Sequence, residues 1–276
     1  MTLGPDRAMG ELLEVSDGVL LWSEPRWMTN TTVVIAPGGT DCLVVDPAVN
    51  SGDLDALALA LRGRGLQCSI GWSTHPHWDH VLWAESLGPD VLRYATASNA
   101  DTCARRREEL LEYVDKEAPG HDRELFGRLQ ALPKGASRLP WEEGPMAIVL
   151  EHQAHAPGHG ALFFPALGIL VTGDMCSDVE IPLLDLRGQD PVGDYYAALD
   201  LYEEIDGLSF FIPGHGAPGN GTELRRRIEA DRYYLHDLVE LRTSTDHRLA
   251  VEWLAAKHQR HTELVRDRQP GSSQHN

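Results

Sequence analysis

Four potential metal ligands lie within a six-residue stretch, and this density constrains the fold more than any other feature of the chain. Residues 74–80 read Thr-His-Pro-His-Trp-Asp-His and follow, one residue later, Ile70-Gly71-Trp72, an apolar run typical of a buried strand. Imidazole and carboxylate groups cost free energy to bury unless something pairs with them, and a divalent cation pairs with all of them at once. The alternative is a solvated, histidine-rich surface turn. We expect a metal-binding loop at a strand end, with the ligands His75, His77, Asp79 and His80.

Composition narrows the class of protein and partner. The chain has 276 residues, of which 42% are hydrophobic, enough for the core of one large domain. Its 24 Lys and Arg against 42 Asp and Glu give a formal net charge of −18, which predicts no nucleic-acid partner because such proteins need a basic surface. No signal-peptide core and no apolar run of about 18 residues are found, so we expect no membrane partner and a cytoplasmic location. A small-molecule substrate is the expected partner, and the sequence leaves a homodimer open.

The cysteines are scattered without metal-binding or redox spacing. In a cytoplasmic chain of this size they are expected to be free and packed in the core. Cys176 lies two residues after Asp174, so a position near the metals stays open for it beside simple packing. The four cysteines are Cys42, Cys68, Cys103 and Cys176.

Periodicity divides the chain into strands and helices. Short apolar or β-branched runs predict strands at 19–23, 31–36, 42–46, 68–73, 147–151, 161–164, 169–172 and 209–212. Helical spacing predicts helices at 53–62, 81–87, 192–205, after 221 and around 249–258. Residues 97–132 are helical in pattern and highly charged, as in a solvated helix face or a lid beside a site. We expect one domain over 12–262 with a helical insertion at 97–132, followed by a flexible tail over 263–276.

Three further candidate ligands lie downstream, each at a strand end or on a tight turn. His159 and His215 both lie in a Pro-Gly-His-Gly tetrapeptide, and Asp174 lies in Thr-Gly-Asp. The flanking glycines permit backbone angles closed to other residues, so a sharp turn can direct each side chain into a shared cleft. These residues extend the candidate metal site beyond the loop at 74–80.

With these motifs in order, the sequence resembles the metallo-β-lactamase-fold hydrolase superfamily over about residues 19–216. The resemblance rests on Asp46 at a strand end, the HxHxDH loop, His159, Asp174 and His215. It implies an α/β protein, a four-layer αββα sandwich with the metal site at one edge of two sheets. It also implies two metal ions: one bound by His75, His77 and His159, another by Asp79, His80 and His215, with Asp174 bridging them.

The donor types indicate which metals suit the site. Seven nitrogen and oxygen ligands without a thiolate favour Zn²⁺, although Fe and Mn also accept imidazole and carboxylate. Asp46 is absent from the implied ligand set and is expected to orient a histidine from behind.

A pair of metal ions in one site is suited to hydrolysis. A metal lowers the pKa of bound water toward about 7, and a second metal stabilises negative charge that develops on the substrate. The resemblance thus implies a dinuclear hydrolase that uses a metal-bound hydroxide, closest in pattern to glyoxalase II and lactonases, which open small thioesters, lactones and esters. Asp79 is the candidate catalytic residue, orienting the hydroxide and then carrying a proton to the leaving group.

Two departures bear on the substrate. True β-lactamases of this fold have Cys at the position of Asp174 or lack the bridging carboxylate, so antibiotic hydrolysis is not expected as the main activity. Quorum-quenching lactonases often have Tyr shortly after the bridging Asp, whereas Met175, Cys176 and Ser177 follow here, which argues against acyl-homoserine lactones.

Two alternatives to the hydrolase remain open. One is a mononuclear iron oxygenase like the persulfide dioxygenases, and the other is a metal-binding protein without turnover. Candidates for lining the cleft are Trp27, Met28, Trp78 and residues 179–184, although each also fits core packing. Tyr195 is predicted first as a packing residue.

Overall fold

Two mixed β-sheets form the centre of the computed structural model, which describes residues 11–47 and 49–268. The first sheet has seven strands in sequential order. They are β1 (Leu12–Ser16), β2 (Val19–Ser23), β3 (Asn30–Ile35), β4 (Asp41–Val45), β5 (Gln67–Trp72), β6 (Arg93–Ala95) and β7 (Gln130–Ala131). The second sheet has five strands in the order β12-β11-β10-β9-β8. They are β8 (Ile148–His152), β9 (His159–Phe164), β10 (Ile169–Gly173), β11 (Phe210–Pro213) and β12 (Gly219–Asn220).

Helices cover the outer faces of both sheets. They are α1 (Ser51–Gly63), α2 (Ala97–Arg105), α3 (Arg107–Glu117), α4 (Pro191–Glu203), α5 (Gly221–Val239) and α6 (Glu252–Arg268). Short 3₁₀ turns occur at Trp78–His80, Glu85–Leu87 and His247–Ala250. Within the described ranges, no helix has the length and apolar character needed to cross a bilayer.

Three apolar cores separate four layers. Side chains such as Val34 and Leu43 from the first sheet meet Leu162 and Val171 from the second in a central core. A second core lies between the first sheet and α1 and α3, and a third lies between the second sheet and α4, α5 and α6. The predicted αββα sandwich is therefore confirmed.

The strands are hydrophobic on both faces because each sheet is covered on both sides. Val33 packs in the outer core and its neighbour Val34 in the central one, and Val44 and Leu43 divide in the same way. Successive side chains of a strand point to opposite faces, so a sheet between two cores needs a continuous apolar run. This explains why the strand runs of this sequence do not alternate with polar residues.

Side-chain capping and one buried stripe define α1. The Asn50 side chain accepts a hydrogen bond from Asp53 N at 3.0 Å, which satisfies one of the free amides of the first turn. Leu54, Leu57 and Leu61 are buried on one face at the predicted helical spacing. The helix thus packs as the sequence predicts and is longer than the predicted range of 53–62, since it spans Ser51–Gly63.

The predicted helix at 81–87 is wrong. Val81, Leu82 and Trp83 are consecutive and all buried, which a helix with one buried stripe does not allow, and only Glu85–Leu87 forms a 3₁₀ turn. The insertion at 97–132 is helical only through Glu117 and ends in β7, which pairs with β6.

The C-terminal helix extends into the segment predicted as a tail. Residues 263–268 belong to α6. The remainder of that segment, 269–276, lies outside the described residues.

All four cysteines are free and buried, as expected from their scattered positions. Cys176 and Tyr195 both pack in the core beneath α4 and α5. Burial raises the pKa of the Cys176 thiol well above its usual value, which keeps it protonated.

Candidate metal centre

The strands that precede the candidate ligands all end at the same edge of the sandwich. β4 is parallel to β5, and β10 is parallel to β11. β8 runs in the same direction as β10, since both are antiparallel to β9. The loops at the carboxyl ends of β4, β5, β8, β10 and β11 carry Asp46, residues 74–80, His155, Asp174 and His215, respectively.

A first group of donors comprises His75, His77, His155 and Asp174. His77 Nδ1 lies 3.0 Å from both His75 Nε2 and His155 Nε2. Asp174 Oδ2 lies 3.4 Å from His75 Nε2 and 3.3 Å from His155 Nε2. Donors bound to one tetrahedral Zn²⁺ at 2.0–2.1 Å would be separated by about 3.3 Å. The observed spacing therefore suits a single small cation.

A second group comprises Asp79, His80 and His215. His215 Nε2 lies 3.4 Å from His80 Nε2 and 3.3 Å from Asp79 Oδ2. Asp174 joins the two groups. Its Oδ1 lies 3.1 Å from His80 Nε2, and its Oδ2 lies 3.3 Å from His155 Nε2 and 3.5 Å from His215 Nε2. One carboxylate thus lies between two sets of donors.

The two groups contain six of the seven predicted ligands together with His155, and His159 lies in neither group. His159 pairs in register with His152 at the start of β9, so the ladder fixes its backbone. Its ring stacks between those of His152 and His75, at centroid distances of 4.5 and 5.1 Å. His159 therefore supports the back of His75 and has neither ring nitrogen in a hydrogen bond.

A sequence signal for His155 exists. It lies three residues after the last residue of β8, as His75 lies three residues after the last residue of β5. The repeated Pro-Gly-His-Gly motif instead directs attention to His159. His155 also has φ +67°, and Ala156 N donates to Ala154 O at 2.7 Å across it, a tight turn that composition alone does not reveal.

Asp46 lies behind the metal loop (residues 74–80) and helps to orient two of its histidines. Its Oδ2 accepts a hydrogen bond from Thr74 Oγ1 at 2.6 Å, so that hydroxyl is left to accept from His75 Nδ1 at 2.9 Å. The same Oδ2 lies 2.9 Å from His80 Nδ1. With its Nδ1 proton held in this way, His75 presents its Nε2 lone pair to the first donor group. The carboxylate beside His80 Nδ1 favours the same tautomer in that ring when the ring is neutral.

Backbone carbonyls orient two more histidines. His155 Nδ1 donates to Leu183 O at 3.1 Å, and His215 Nδ1 donates to Trp27 O at 2.7 Å. Each contact holds the proton on Nδ1 and leaves Nε2 free to face the cluster. When they are neutral, these imidazoles therefore carry their proton on Nδ1, the tautomer that metal binding through Nε2 requires.

The electrostatics differ between the two groups. Burial lowers the pKa of His77 to about 3 and that of His75 well below its usual value. Burial acts the same way on His80 and His215 but is outweighed by nearby carboxylates, chiefly Asp174 for His80 and Glu180 for His215, so their pKa values are raised. Without metal, His80 and His215 of the second group therefore carry the protons that offset the charge of the nearby carboxylates.

The donor set fits divalent cations. Asp174 Oδ1 is buried without a hydrogen-bond partner. It lies near His80 Nε2, and two acceptors at such a distance repel unless a proton or a cation lies between them. In the first group, the clustered nitrogens of His75, His77 and His155 repel one another in the same way unless a proton or a cation lies between them. A cation in each group would satisfy all of these atoms.

Backbone strain is concentrated around the site. Of the five non-glycine residues with left-handed φ in the described ranges, four lie in the surrounding loops. They are Met28, Asp46, His155 and Cys176. Such conformations cost about 1–3 kcal/mol each and persist where surrounding contacts hold them.

Two tryptophans lie beside the second group. Trp27 and Trp78 are half-buried and meet edge to face, with ring centroids 6.0 Å apart. Trp78 belongs to the metal loop, and the Trp27 carbonyl binds His215. Both side chains also pack against the core between the first sheet and its helices. The exposed Met28 is adjacent, and Glu180 approaches His215 Nδ1 to 3.9 Å.

No protein-family model and no curated protein matches this sequence. Among solved structures, the chain is similar to a β-lactamase domain protein from Burkholderia ambifaria, with TM-score 0.66, 22% identity, and coverage of 87% of this chain and 77% of that one. A metallo-β-lactamase family protein from Thermus thermophilus gives TM-score 0.66 and 22% identity, over 92% of this chain and 95% of that one.

An inverting sec-alkylsulfatase from Pseudomonas sp. is also similar, with TM-score 0.65 and 17% identity, over 84% of this chain and 42% of that one. At these identities the likeness is one of fold.

Proposed function

We propose that this chain, which has the metallo-β-lactamase fold, is a hydrolase with a dinuclear metal centre that acts on a small ester, lactone or thioester. The carrying observation is the Asp174 carboxylate, whose Oδ1 faces His80 and whose Oδ2 faces His75 and His155. A carboxylate shared by two sets of donors favours two cations over one.

The proposed ligands follow from the two donor groups. The first cation would be held by His75, His77 and His155, the second by Asp79, His80 and His215, with Asp174 bridging. Zn²⁺ is the preferred ion, and Fe or Mn would accept the same donors. Bound there, the cations would lower the pKa of water toward about 7 and stabilise negative charge on the substrate oxygen.

Asp79 is the proposed catalytic residue. Its Oδ2 faces His215 Nε2, and its side chain keeps 13% of its surface exposed, so it is accessible from the cleft. Burial opposes its ionisation, but His80 and His215 outweigh burial and lower the pKa of Asp79. An ionised carboxylate at this place can accept a hydrogen bond from the attacking water, orient it and take its proton.

The surroundings support a small organic substrate. Trp27 and Trp78 offer an apolar surface at the side of the second group. The net charge of −18 disfavours a polyanionic substrate such as a nucleic acid. An acyl group resting on the tryptophans, with its carbonyl toward the donor groups, fits both observations.

Elemental analysis and a substrate panel on the same purified protein test the proposal. We expect about two metal ions per chain and turnover of at least one ester, lactone or thioester. Because an alkylsulfatase shares the fold, an alkyl sulfate belongs in the panel. Asp79→Ala should lose turnover, whereas Asp55→Ala, an exposed aspartate of α1, is the matched control. Full turnover by Asp79→Ala with unchanged metal content would exclude the proposed role.

Metal analysis also separates the alternatives. One iron per chain with oxygen uptake on a persulfide would replace the hydrolase with an oxygenase. Two bound ions without turnover of any member of the panel would favour a metal-binding protein without catalysis.

A further inference from the structure

A continuous hydrogen-bond chain connects α6 to the first donor group. His155 Nδ1 donates to Leu183 O at 3.1 Å, and Leu184 N donates to His261 Nε2 at 3.3 Å. The Leu183 carbonyl and the Leu184 amide belong to the same peptide group. A single peptide plane therefore has His155 on one side and His261 on the other.

The chain continues beyond His261. His261 Nδ1 lies 3.0 Å from Tyr234 Oη, and the same hydroxyl lies 3.1 Å from His258 Nδ1. His261 and Tyr234 are almost fully buried, at 2% and 1% exposure. Their polar atoms consequently depend on one another for hydrogen bonds.

Donor and acceptor roles are determined along the whole chain. A backbone amide only donates, so His261 Nε2 must accept and His261 must carry its proton on Nδ1. Nδ1 then donates to Tyr234 Oη, which leaves that hydroxyl to donate to His258 Nδ1. At the other end, the Leu183 carbonyl only accepts, so His155 carries its proton on Nδ1. Only a neutral His261 satisfies this pattern, and burial lowers its pKa to about 3.

We infer that His261 is a positioning residue that orients His155 for metal binding through the Leu183–Leu184 peptide. His155 has a left-handed φ and needs contacts to hold that conformation, and its Nδ1 contact is the carbonyl of this peptide. His261 prevents rotation of the peptide by accepting from its opposite end. The hydrogen bonds are polarised in one direction, which strengthens each of them. The inference rests on the metal-binding part of the proposed function.

Zinc and cobalt affinity measurements test this role without reference to activity. The two binding steps are measured by competition with a chromogenic chelator, and Co²⁺ spectra report the ligand arrangement. His155→Ala identifies which step belongs to the first group, because it removes a donor of that group alone.

His261→Phe keeps a ring but removes the acceptor, so it should weaken the first-group step by about 10–100-fold. It should also change the Co²⁺ spectrum, while the other step stays within about threefold. His261→Gln places an oxygen near the position of Nε2 and should restore most of the affinity. A purely structural role would not separate the two steps or respond to glutamine.

Leu238→Ala is the matched control for destabilisation. Leu238, on α5, packs in the same core and takes no part in the hydrogen-bond chain. Its truncation should therefore lower the melting temperature and leave both metal affinities unchanged. Unchanged affinities in folded His261→Phe, or an equal loss at both steps, would overturn the inference.

If His261→Phe does not fold, Tyr234→Phe carries the test, since it removes only the hydroxyl that accepts the His261 Nδ1 proton. It should weaken the first-group step by about 3–10-fold, and wild-type affinity in this variant would overturn the inference. Failure of the wild-type protein to bind either ion would instead refute the proposed function.

Discussion

Asp46 holds Thr74 by two hydrogen bonds, from the backbone amide to Oδ1 at 2.8 Å and from the side-chain hydroxyl to Oδ2 at 2.6 Å. Because the same carboxylate lies 2.9 Å from His80 Nδ1, it fixes both the backbone of the metal loop and one of its imidazoles. Asp46 thus orients donors of both groups without joining either.

Asp46→Asn should therefore weaken metal binding by about 10–100-fold while the protein stays folded. An amide presents one acceptor oxygen, so it cannot serve the Thr74 amide, the Thr74 hydroxyl and His80 together. The measurement is Zn²⁺ affinity by chelator competition. The control is Asp41→Asn, at the start of β4, the strand that precedes Asp46. Equal affinities for the two variants would contradict the prediction.

The choice between His155 and His159 is directly testable by metal stoichiometry. His155→Ala should bind about one ion per chain, because it loses a donor of the first group. His159→Ala should still bind two ions but melt at a lower temperature, since it leaves a cavity behind His75. Elemental analysis and thermal unfolding distinguish these outcomes, and the reverse result would favour the ligand set that the sequence implies.

The strand and helix runs allowed most elements to be predicted from sequence, because strands covered on both faces are continuously apolar and helices have one buried stripe. The sandwich itself was implied by the resemblance that the ligand motifs carry. The short strands β6, β7 and β12 were not predictable in this way. Two- and three-residue strands such as Gln130–Ala131 form because a neighbouring strand offers a partner, and no local pattern records that.

Prediction of the candidate site from sequence is limited in the same way, because local patterns do not record contacts between distant segments. The loop at 74–80 carries its ligands close together in sequence, so the pattern identifies them. The Pro-Gly-His-Gly motif favours His159 in sequence, whereas the structure places His155 in the donor group and pairs His159 with His152 in the ladder of β8 and β9. The supports from Leu183 and His261 come from a distant part of the chain, which periodicity does not relate to the site.

Metal loading should release protons, mainly from the second group. The raised pKa values of His80 and His215 mean that both hold a proton near pH 7 without metal, whereas His75 and His77 have lowered pKa values and are neutral. A cation in the second group must displace about two protons, so its affinity should fall as pH decreases.

Calorimetric titration of the metal-free protein in buffers of different ionisation enthalpy measures this release. The step absent from His215→Ala identifies the second group. We expect that step to release more protons than the other at pH 7. Binding enthalpies that do not depend on the buffer would rule out the proposed protonation.

Gly214 leaves space for the Asp174 carboxylate. A Cβ added at this position would overlap Asp174 Oδ1, and the surrounding backbone does not offer it room, since the next closest atom is the Gly173 carbonyl carbon at 3.0 Å. Gly214→Ala should therefore displace Asp174 and reduce binding of both ions. Gly63→Ala is the matched control, because a Cβ there meets nothing within 4 Å. Elemental analysis of both variants, prepared together, gives the result, and two tightly bound ions in Gly214→Ala would contradict it.

A buried arginine connects the C-terminal region to the loop after Asp174. Arg248 Nη1 donates to Ser177 O at 3.0 Å, to Glu180 O at 2.8 Å and to Asp231 Oδ1 at 2.8 Å, and its side chain is 3% exposed. Arg248→Met would leave the Asp231 carboxylate buried without its partner. Removing one member of a buried ion pair costs about 3–5 kcal/mol of unfolding free energy.

The loss of unfolding free energy in Arg248→Met should increase with pH. Burial raises the pKa of Asp231 to about 6 even with Arg248 present, so the native state binds a proton that the unfolded chain releases at lower pH. Without Arg248 that pKa rises further, and the variant continues to lose stability above pH 6, where the wild-type contribution has levelled off. Urea unfolding of the metal-free proteins at pH 5 and pH 8 should therefore show a larger deficit at pH 8. Arg242→Met, which changes an exposed arginine, is expected to show little loss at either pH, and a pH-independent deficit in Arg248→Met would mean that Asp231 is not the group left unpaired.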